Sequence, residues 1–327
     1  MSAPEAVGAL MRSHRLRWHE ALPWLAIVVA WYLFPGYRSL GAQILITVLF
    51  VLSLDLILGY AGIVTLGHAA FFGVGAYTAG ILAVQGWQEP LSGLVAAGAV
   101  AGLLGLATGF VILRTHGLTL LMLTLAVVFM THEIANKAGW LTGGADGLQG
   151  VRIQPILGAW RFDMFGNTAY AYCALVLFLA WVFARRLVHS PFGRSLTGIR
   201  ENVVRMHAIG SPVRRRLIEV YAISAALAGV AGALRTQTSQ FVGLNSISFE
   251  LSGEALIMLV FGGAGRLYGA FVGAPAYLLA QDVLARTEPA YWQFGIGLLL
   301  VLVVLFARGG LLGVFDRARA WVAARTR

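Results

Sequence analysis

The sequence predicts an all-α membrane protein, a polytopic helix bundle of about ten transmembrane segments with N- and C-termini cytoplasmic. Three observations predict it. Of 327 residues, 59% are hydrophobic and only 12% are charged, too little charge to cover a soluble protein of this size. Apolar stretches recur near the length that a bilayer requires, about 20 residues for a hydrocarbon core of roughly 30 Å. The basic residues also segregate: with the N-terminus inside, 18 of the 24 fall on the cytoplasmic side and 6 do not, as the positive-inside rule expects. The formal charge of +10 therefore marks cytoplasmic loops rather than nucleic-acid binding.

The elements follow in order. Residues 1–20 are a polar, basic cytoplasmic tail with Arg12, Arg15 and Arg17. No small-residue cleavage site follows a short apolar core, so 21–34 reads as a first span and not a removed signal. Further spans are expected at 40–58, 61–84, 91–113, 117–135, 169–184, 217–236, 250–262, 268–284 and 290–307, before a cytoplasmic tail at 308–327. The expected membrane body is thus 21–307, with no separate soluble domain. Two connections are long: 136–168, outside, containing "LTGGADGLQG", and 185–216, inside, with eight arginines against one acid, Glu201.

The stretch "GYAGIVTLGHAAFFGVGAYTAG" at 59–80 carries six glycines and a histidine. Irregular backbone at membrane depth is tolerated where it is buried in protein or lines a cavity, and transporters place broken helices beside their substrate route. Two readings stay open: a bent or broken helix at the translocation path, or a continuous helix wedged among neighbours. On the first, Gly67, His68, Phe72 and Gly75, with Glu254 from a later span, line the route. His68 alternatively hydrogen-bonds between helices as structural glue, and Glu254 reads equally as an interfacial carboxylate. Asp55 lies near the cytoplasmic end of its span. Small residues at four-residue spacing (Ala97, Ala101, Gly105 and Gly109; Gly98 and Gly102; Ala225, Gly229 and Ala233; Gly269 and Gly273) predict close helix packing.

Catalytic chemistry is missing. The one lysine, Lys137, follows Asn136, so there is no Walker A loop and the chain is not an ATP-hydrolysing unit. "HEIAN" puts Asn136 where a zinc-protease helix has its second histidine, and no G-x-S-x-G elbow occurs. Cys173 is the only cysteine, which excludes an internal disulfide or a cysteine-based metal cluster. "TGGADG" reads as a turn-rich loop rather than an anion cradle. No catalytic residue, metal ligand or cofactor is expected.

In the inner loop, Ser190-Pro191 is a helix start, and Gly210 followed by Ser211-Pro212 is a helix stop. Between Leu196 and Ile209 the pattern predicts an amphipathic helix with Ile199, Val203, Met206 and Ile209 near one face. Such a helix lies on anionic lipid or docks on a soluble partner.

At this loop the sequence resembles the LivM-type permease subunits of branched-chain amino acid ABC transporters. The resemblance runs from about Ile44 to Gly313, through the 59–80 stretch, "RTHGLTLLMLTLAVVFMTHEI", "LTGGADGLQGV", "SPFGRSLTGIREN", "AISAALAGVAGAL", "SFELSGEALIMLVFGGAGRLYGAFVGA" and "RGGLLG". It implies a multi-pass subunit in a bacterial cytoplasmic (inner) membrane. It implies as partners a second, LivH-like permease, two cytoplasmic ATPase subunits and an extracytoplasmic solute-binding protein. Arg200, Glu201, Asn202, Arg205 and Gly210 then fall in the ATPase-coupling segment. Family members usually carry small alanines after the Arg-Glu-Asn, where this chain has Val203, Val204, Arg205 and Met206. The resemblance implies import of branched-chain or other hydrophobic amino acids, with urea or amides as the alternative within the family. A secondary transporter is the alternative outside it, but ion coupling usually uses buried carboxylates, and Asp55 is the one candidate.

Overall fold

The structure, a computed structural model, describes residues 21–156, 158, 160–163, 166–287, 291–306 and 310–313. The expected tail at 1–20, both ends of the expected span at 290–307, and most of the expected tail at 308–327 lie outside the described residues. Among the described residues the elements are helical, and β pairing is confined to two isolated bridges, Leu148 with Val242 and Ile156 with Trp160.

Helix α1 (Leu22–Leu33) leads through a short 3-10 turn into α2 (Arg38–Asp55), which ends in a π-helical turn, Leu56–Tyr60. An irregular segment follows, and α3 (His68–Val84) begins only at the histidine. Then come α4 (Pro90–Ile112), α5 (Leu118–Lys137), the single-turn α6 (Gly139–Thr142) and α7 (Asn167–His189). The inner connection holds α8 (Pro191–Glu201) and α9 (Val203–Ala208). The chain returns through α10 (Val213–Ser239), α11 (Phe249–Gly262), α12 (Gly269–Thr287) and α13 (Trp292–Phe306).

Among the described residues, five helices are long and apolar enough to cross a bilayer: α2 with its flanking turns (Pro35–Tyr60), α4, α5, α7 and α10. The expected spans at 21–34 and 61–84 form shorter apolar helices of 12 and 17 residues, about 18 and 26 Å long. In the second case the glycine-rich stretch spends its first third on non-helical backbone. The residues expected as a span at 250–262 form a helix of 14 residues.

Helix α2 is the axis. From Leu45 to Ile57 it is buried almost all round, with Leu49, Phe50, Leu52 and Leu54 fully inside. On one side α10 packs along α3 and α4; on the other, α7, α11 and α12 close against α2. Lipid-like surroundings give helices no hydrophobic drive to associate, so close backbone approach at small residues carries the packing. The four-residue stripes are where this happens. Gly229 of α10 lies against Ala101 of α4, and Gly105 of α4 against Ala225. Gly75 of α3 sits directly on the Gly229 backbone, and Gly273 of α12 on the carbonyl of Met258. The long connection between α5 and α7 folds back onto this frame: the Leu148–Val242 bridge buries Leu148 and Val151 beside Tyr77 and Ile247.

The expected single helix from Leu196 to Ile209 is corrected. Asn202 is extended (φ −159°, ψ 100°) and its side-chain oxygen accepts the Arg205 N–H at 2.9 Å. The side chain caps α9 and so ends α8, because an asparagine competes locally with the helical ladder. The apolar face is split as well: Ile199 is buried, whereas Val203 and Ile209 are 44% and 70% exposed. The flanking signals behave as expected. Ser190 Oγ accepts the Gly193 N–H with Pro191 in the first turn, and Gly210 takes a left-handed φ of 78°.

Leucine at Gly75 has no room against Gly229, and overpacking of this kind costs about 1–3 kcal/mol. Gly75→Leu is expected to lower the thermal-unfolding midpoint in detergent and the yield of folded protein. Gly253→Ala, a helical position with open space around it, is expected to leave the midpoint unchanged or raise it slightly. Equal midpoints for Gly75→Leu and the parent would refute the packing account.

Candidate functional site: the helix break and the α8–α9 helix pair

When α2 unwinds after Asp55, its last carbonyls and the first amides of α3 lose their helical partners. The structure supplies replacements from within the segment and from three other elements. The Ile63 N–H reaches back to the Ile57 carbonyl at 3.1 Å. Thr124 Oγ1 of α5 accepts the Leu66 N–H at 3.3 Å, and Ser252 Oγ of α11 accepts the Ala69 N–H at 2.9 Å. The Gly59 carbonyl accepts from Nη1 of Arg200, on α8. The stem of Arg200 crosses Gly62, whose φ of 74° and contact with the arginine Cγ leave no place for a side chain. Asp55 is fully buried, and its Oδ1 accepts the Gly265 N–H from the α11–α12 turn at 2.7 Å. A Cβ on Gly59 would strike both Asp55 and Gly265. Asp55, Gly59, Gly265 and Arg200 thus form one junction, in which α8 is hydrogen-bonded directly to the π turn that ends α2.

His68 stands just past the break and is fully buried. Its Nε2 lies 2.7 Å from Ser53 Oγ, and that hydroxyl donates to the Phe50 carbonyl at 2.6 Å. The hydroxyl has one proton, so Nε2–H donates to it. The ring stacks on Phe50 at 5.2 Å, and Ser224 Oγ of α10 donates to the Ser53 carbonyl. His68 therefore ties α3 to α2, the structural-glue reading. Gly67 abuts the Thr124 backbone and Gly75 the Gly229 backbone; both are packing positions.

Two cavities flank the bundle at opposite ends. Near the junction, one of about 640 Å³ is lined by Arg114, His116, Arg200, His207 and Arg214. About 450 Å³ of space opens at the other end, beside the first turns of α2 and the last of α10, and it is here that Phe72 and Glu254 meet, with Gln43, Arg235 and Asp282. Of the five residues expected on the route, these two share a cavity, and Gly67, His68 and Gly75 do not line it. Arg235, near the end of the expected span at 217–236, is not among the residues singled out from the sequence. The available signal was a lone arginine close to the end of an apolar helix, since ionisable groups there are costly.

The coupling-segment residues also separate by role. Arg200 reaches the break and Asn202 caps α9. Glu201, Arg205 and Gly210 are exposed around the corner between α8 and α9, together with Val203 and Val204. Met206 folds back onto Gly198 and holds the corner closed. Among the described residues, no group of three His, Cys, Asp or Glu stands close enough to hold a metal ion.

Comparison with known proteins shows the family. The family model described as branched-chain amino acid transport system / permease component matches residues 38–304. The high-affinity branched-chain amino acid transport system permease protein LivM of Salmonella typhimurium is 28% identical, over 88% of this chain and 73% of its own length. The probable branched-chain amino acid transport permease protein LivM of Methanocaldococcus jannaschii is 24% identical, over 80% of this chain and 88% of its own. The high-affinity branched-chain amino acid transport system permease protein LivH of Escherichia coli is likewise 24% identical, over 81% of this chain and 90% of its own. No solved structure matches the chain.

The Asp55 contact makes a graded prediction. Asp55→Ala strands the buried Gly265 N–H, at a cost of about 1–3 kcal/mol, whereas Asp55→Asn keeps an acceptor. Thermal unfolding in detergent is expected to rank wild type and Asp55→Asn above Asp55→Ala; an alanine variant as stable as the asparagine variant would exclude the contact.

Proposed function

Because the chain belongs to the family of branched-chain amino acid transport permease components, we propose that it is one permease subunit of a binding-protein-dependent ABC importer that passes branched-chain or other hydrophobic amino acids inward. It has no ATPase site of its own and works with a LivH-like permease, two cytoplasmic ATPase subunits and an external solute-binding protein. It sits in a bacterial cytoplasmic membrane, crossing about ten times with both termini inside; the shorter helices complete crossings in which irregular backbone is buried in protein.

The observation that carries the reading is the bond from Arg200 to Gly59. In the mechanism, the ATPases grip the exposed corner between α8 and α9, where Glu201, Val204 and Arg205 offer mixed charge and apolar surface. Closure of the ATPases on ATP displaces α8. Arg200 passes that displacement to the π turn, and Asp55 passes it on to the α11–α12 turn through Gly265. The helices on either side of the break then rock, opening the route at one end as it closes at the other. The ligand is held weakly in transit, which favours release.

Uptake of labelled leucine into proteoliposomes holding all five subunits tests this. ATP on the ATPase side is expected to drive uptake, with isoleucine and valine competing and urea not. Uptake driven by an ion gradient and indifferent to ATP would contradict the reading. Within the working assembly, Arg200→Gln removes a charged hydrogen bond worth about 1.5–3 kcal/mol. It is expected to lower uptake about tenfold or more while ATP hydrolysis continues. Val204→Asp is expected instead to weaken ATPase binding, measured by co-purification.

A further inference from the structure

The cavity far from the junction contains an unusual charge arrangement. Arg235 projects from the last turns of α10 and Glu254 from the first turns of α11, and both line the same space of about 450 Å³. Each is half-buried. The third charged wall residue, Asp282, is already paired with Arg286 at 3.0 Å. Among the described residues, no hydrogen bond or ion pair engages the Arg235 guanidinium or the Glu254 carboxylate, and Glu250, one turn before Glu254 on α11, is exposed and adds no counter-charge to it. Partly desolvated charges are costly unless paired. Here two of opposite sign stand uncompensated on separate helices, with Phe72, Leu251 and Met258 supplying apolar wall and Gln43 a polar one.

We propose that this cavity is a transit site for a zwitterionic α-amino acid. Arg235 receives the carboxylate, Glu254 receives the ammonium group, and a branched apolar side chain lies on Phe72 and Met258. The inference rests on the importer reading and adds to it a specificity filter within the permease, separate from the binding protein. The volume falls within the range of small-molecule sites. The charges select for the zwitterion, because a ligand lacking one charged group leaves its protein partner half-buried and unpaired. Position supports a gate as well. Arg235 and Glu254 lie on α10 and α11, and both helices run toward the break, α11 ending in the turn that Asp55 holds. Rocking about that turn changes the separation of the two charges, so the site that accepts the ligand in one state is pulled apart in the other.

The test uses the permease pair with its ATPases in nanodiscs, without binding protein, so that selection by the latter does not intervene. Saturation-transfer NMR is recorded with leucine, leucinamide (no carboxylate) and 4-methylpentanoate (no ammonium), each at millimolar concentration. For the wild type, leucine is expected to give a signal about tenfold or more above either analogue. Arg235→Gln is expected to erase the preference over leucinamide and leave that over 4-methylpentanoate. Glu254→Gln is expected to do the reverse, and Arg235→Lys to retain most of the preference. A merely structural role would lower all three signals together, and that result, or unchanged discrimination in both variants, overturns the proposal. ATP-driven leucine uptake by the wild-type assembly is measured in parallel. Its absence would refute the importer reading, whereas normal uptake with unchanged NMR discrimination refutes only the transit site.

Discussion

The arrangement depends on backbone polar groups that a helix exposes when it stops inside a bundle. Each unpaired N–H or C=O in a dry environment costs several kcal/mol, so the break after Asp55 exists only because other elements come to it. Arg200 from α8, Ser252 from α11 and Thr124 from α5 each complete a group that the helix left open, and Gly265 donates to the buried Asp55 carboxylate beside them. The same bonds make the break a meeting point. An unbroken helix would need none of these backbone partners and would leave α8 without its bond to the π turn.

Around that point the bundle is stiff. Glycine and alanine contacts lock α10 onto α3 and α4 at backbone distance, and His68 joins α2 to α3 through Ser53. Tightly packed helices move as bodies rather than bend, since close-packed interiors shift between discrete arrangements. The helical ladder is interrupted at the π turn, the segment after it and the α11–α12 turn. π-Helical turns often coincide with functional positions, and this one accepts the Arg200 hydrogen bond from α8. A displacement at the corner between α8 and α9 therefore has a short covalent and hydrogen-bonded path to both sides of the bundle.

What the sequence made legible was local. Hydrophobic length and arginine placement announce a helical membrane protein, Ser190-Pro191 and Gly210 bracket the inner helices, and the four-residue spacing of small side chains marks the packed faces. The glycine-rich stretch signalled irregular backbone without fixing where helix resumes, because that depends on Ser252 capping Ala69 across 183 residues. Asn202 split an expected helix because a side-chain cap outweighed a periodic pattern. The junction itself was illegible: Asp55 and Gly265 are 210 residues apart, and each reads alone as an ordinary span end and an ordinary turn. Arg235 and Glu254 were visible singly, but their shared cavity follows from how α10 and α11 pack, which no local spacing encodes. Gly67 and Gly75 drew attention for the right physical reason, close approach, and serve packing rather than the cavity wall.

The central proposal is that Arg200 carries motion from the α8–α9 corner to the break. The most direct test is a spin-label distance between Val64, in the irregular segment, and Leu103, on the outer face of α4, which are 44% and 67% exposed. Labels on Val64→Cys and Leu103→Cys would be read in the full assembly, with the buried Cys173 replaced by alanine. ATP is expected to shift the distance distribution in the otherwise wild-type protein and to leave it unmoved in Arg200→Gln. The same ATP-dependent shift in both would mean that the break moves without this bond, and would contradict the account.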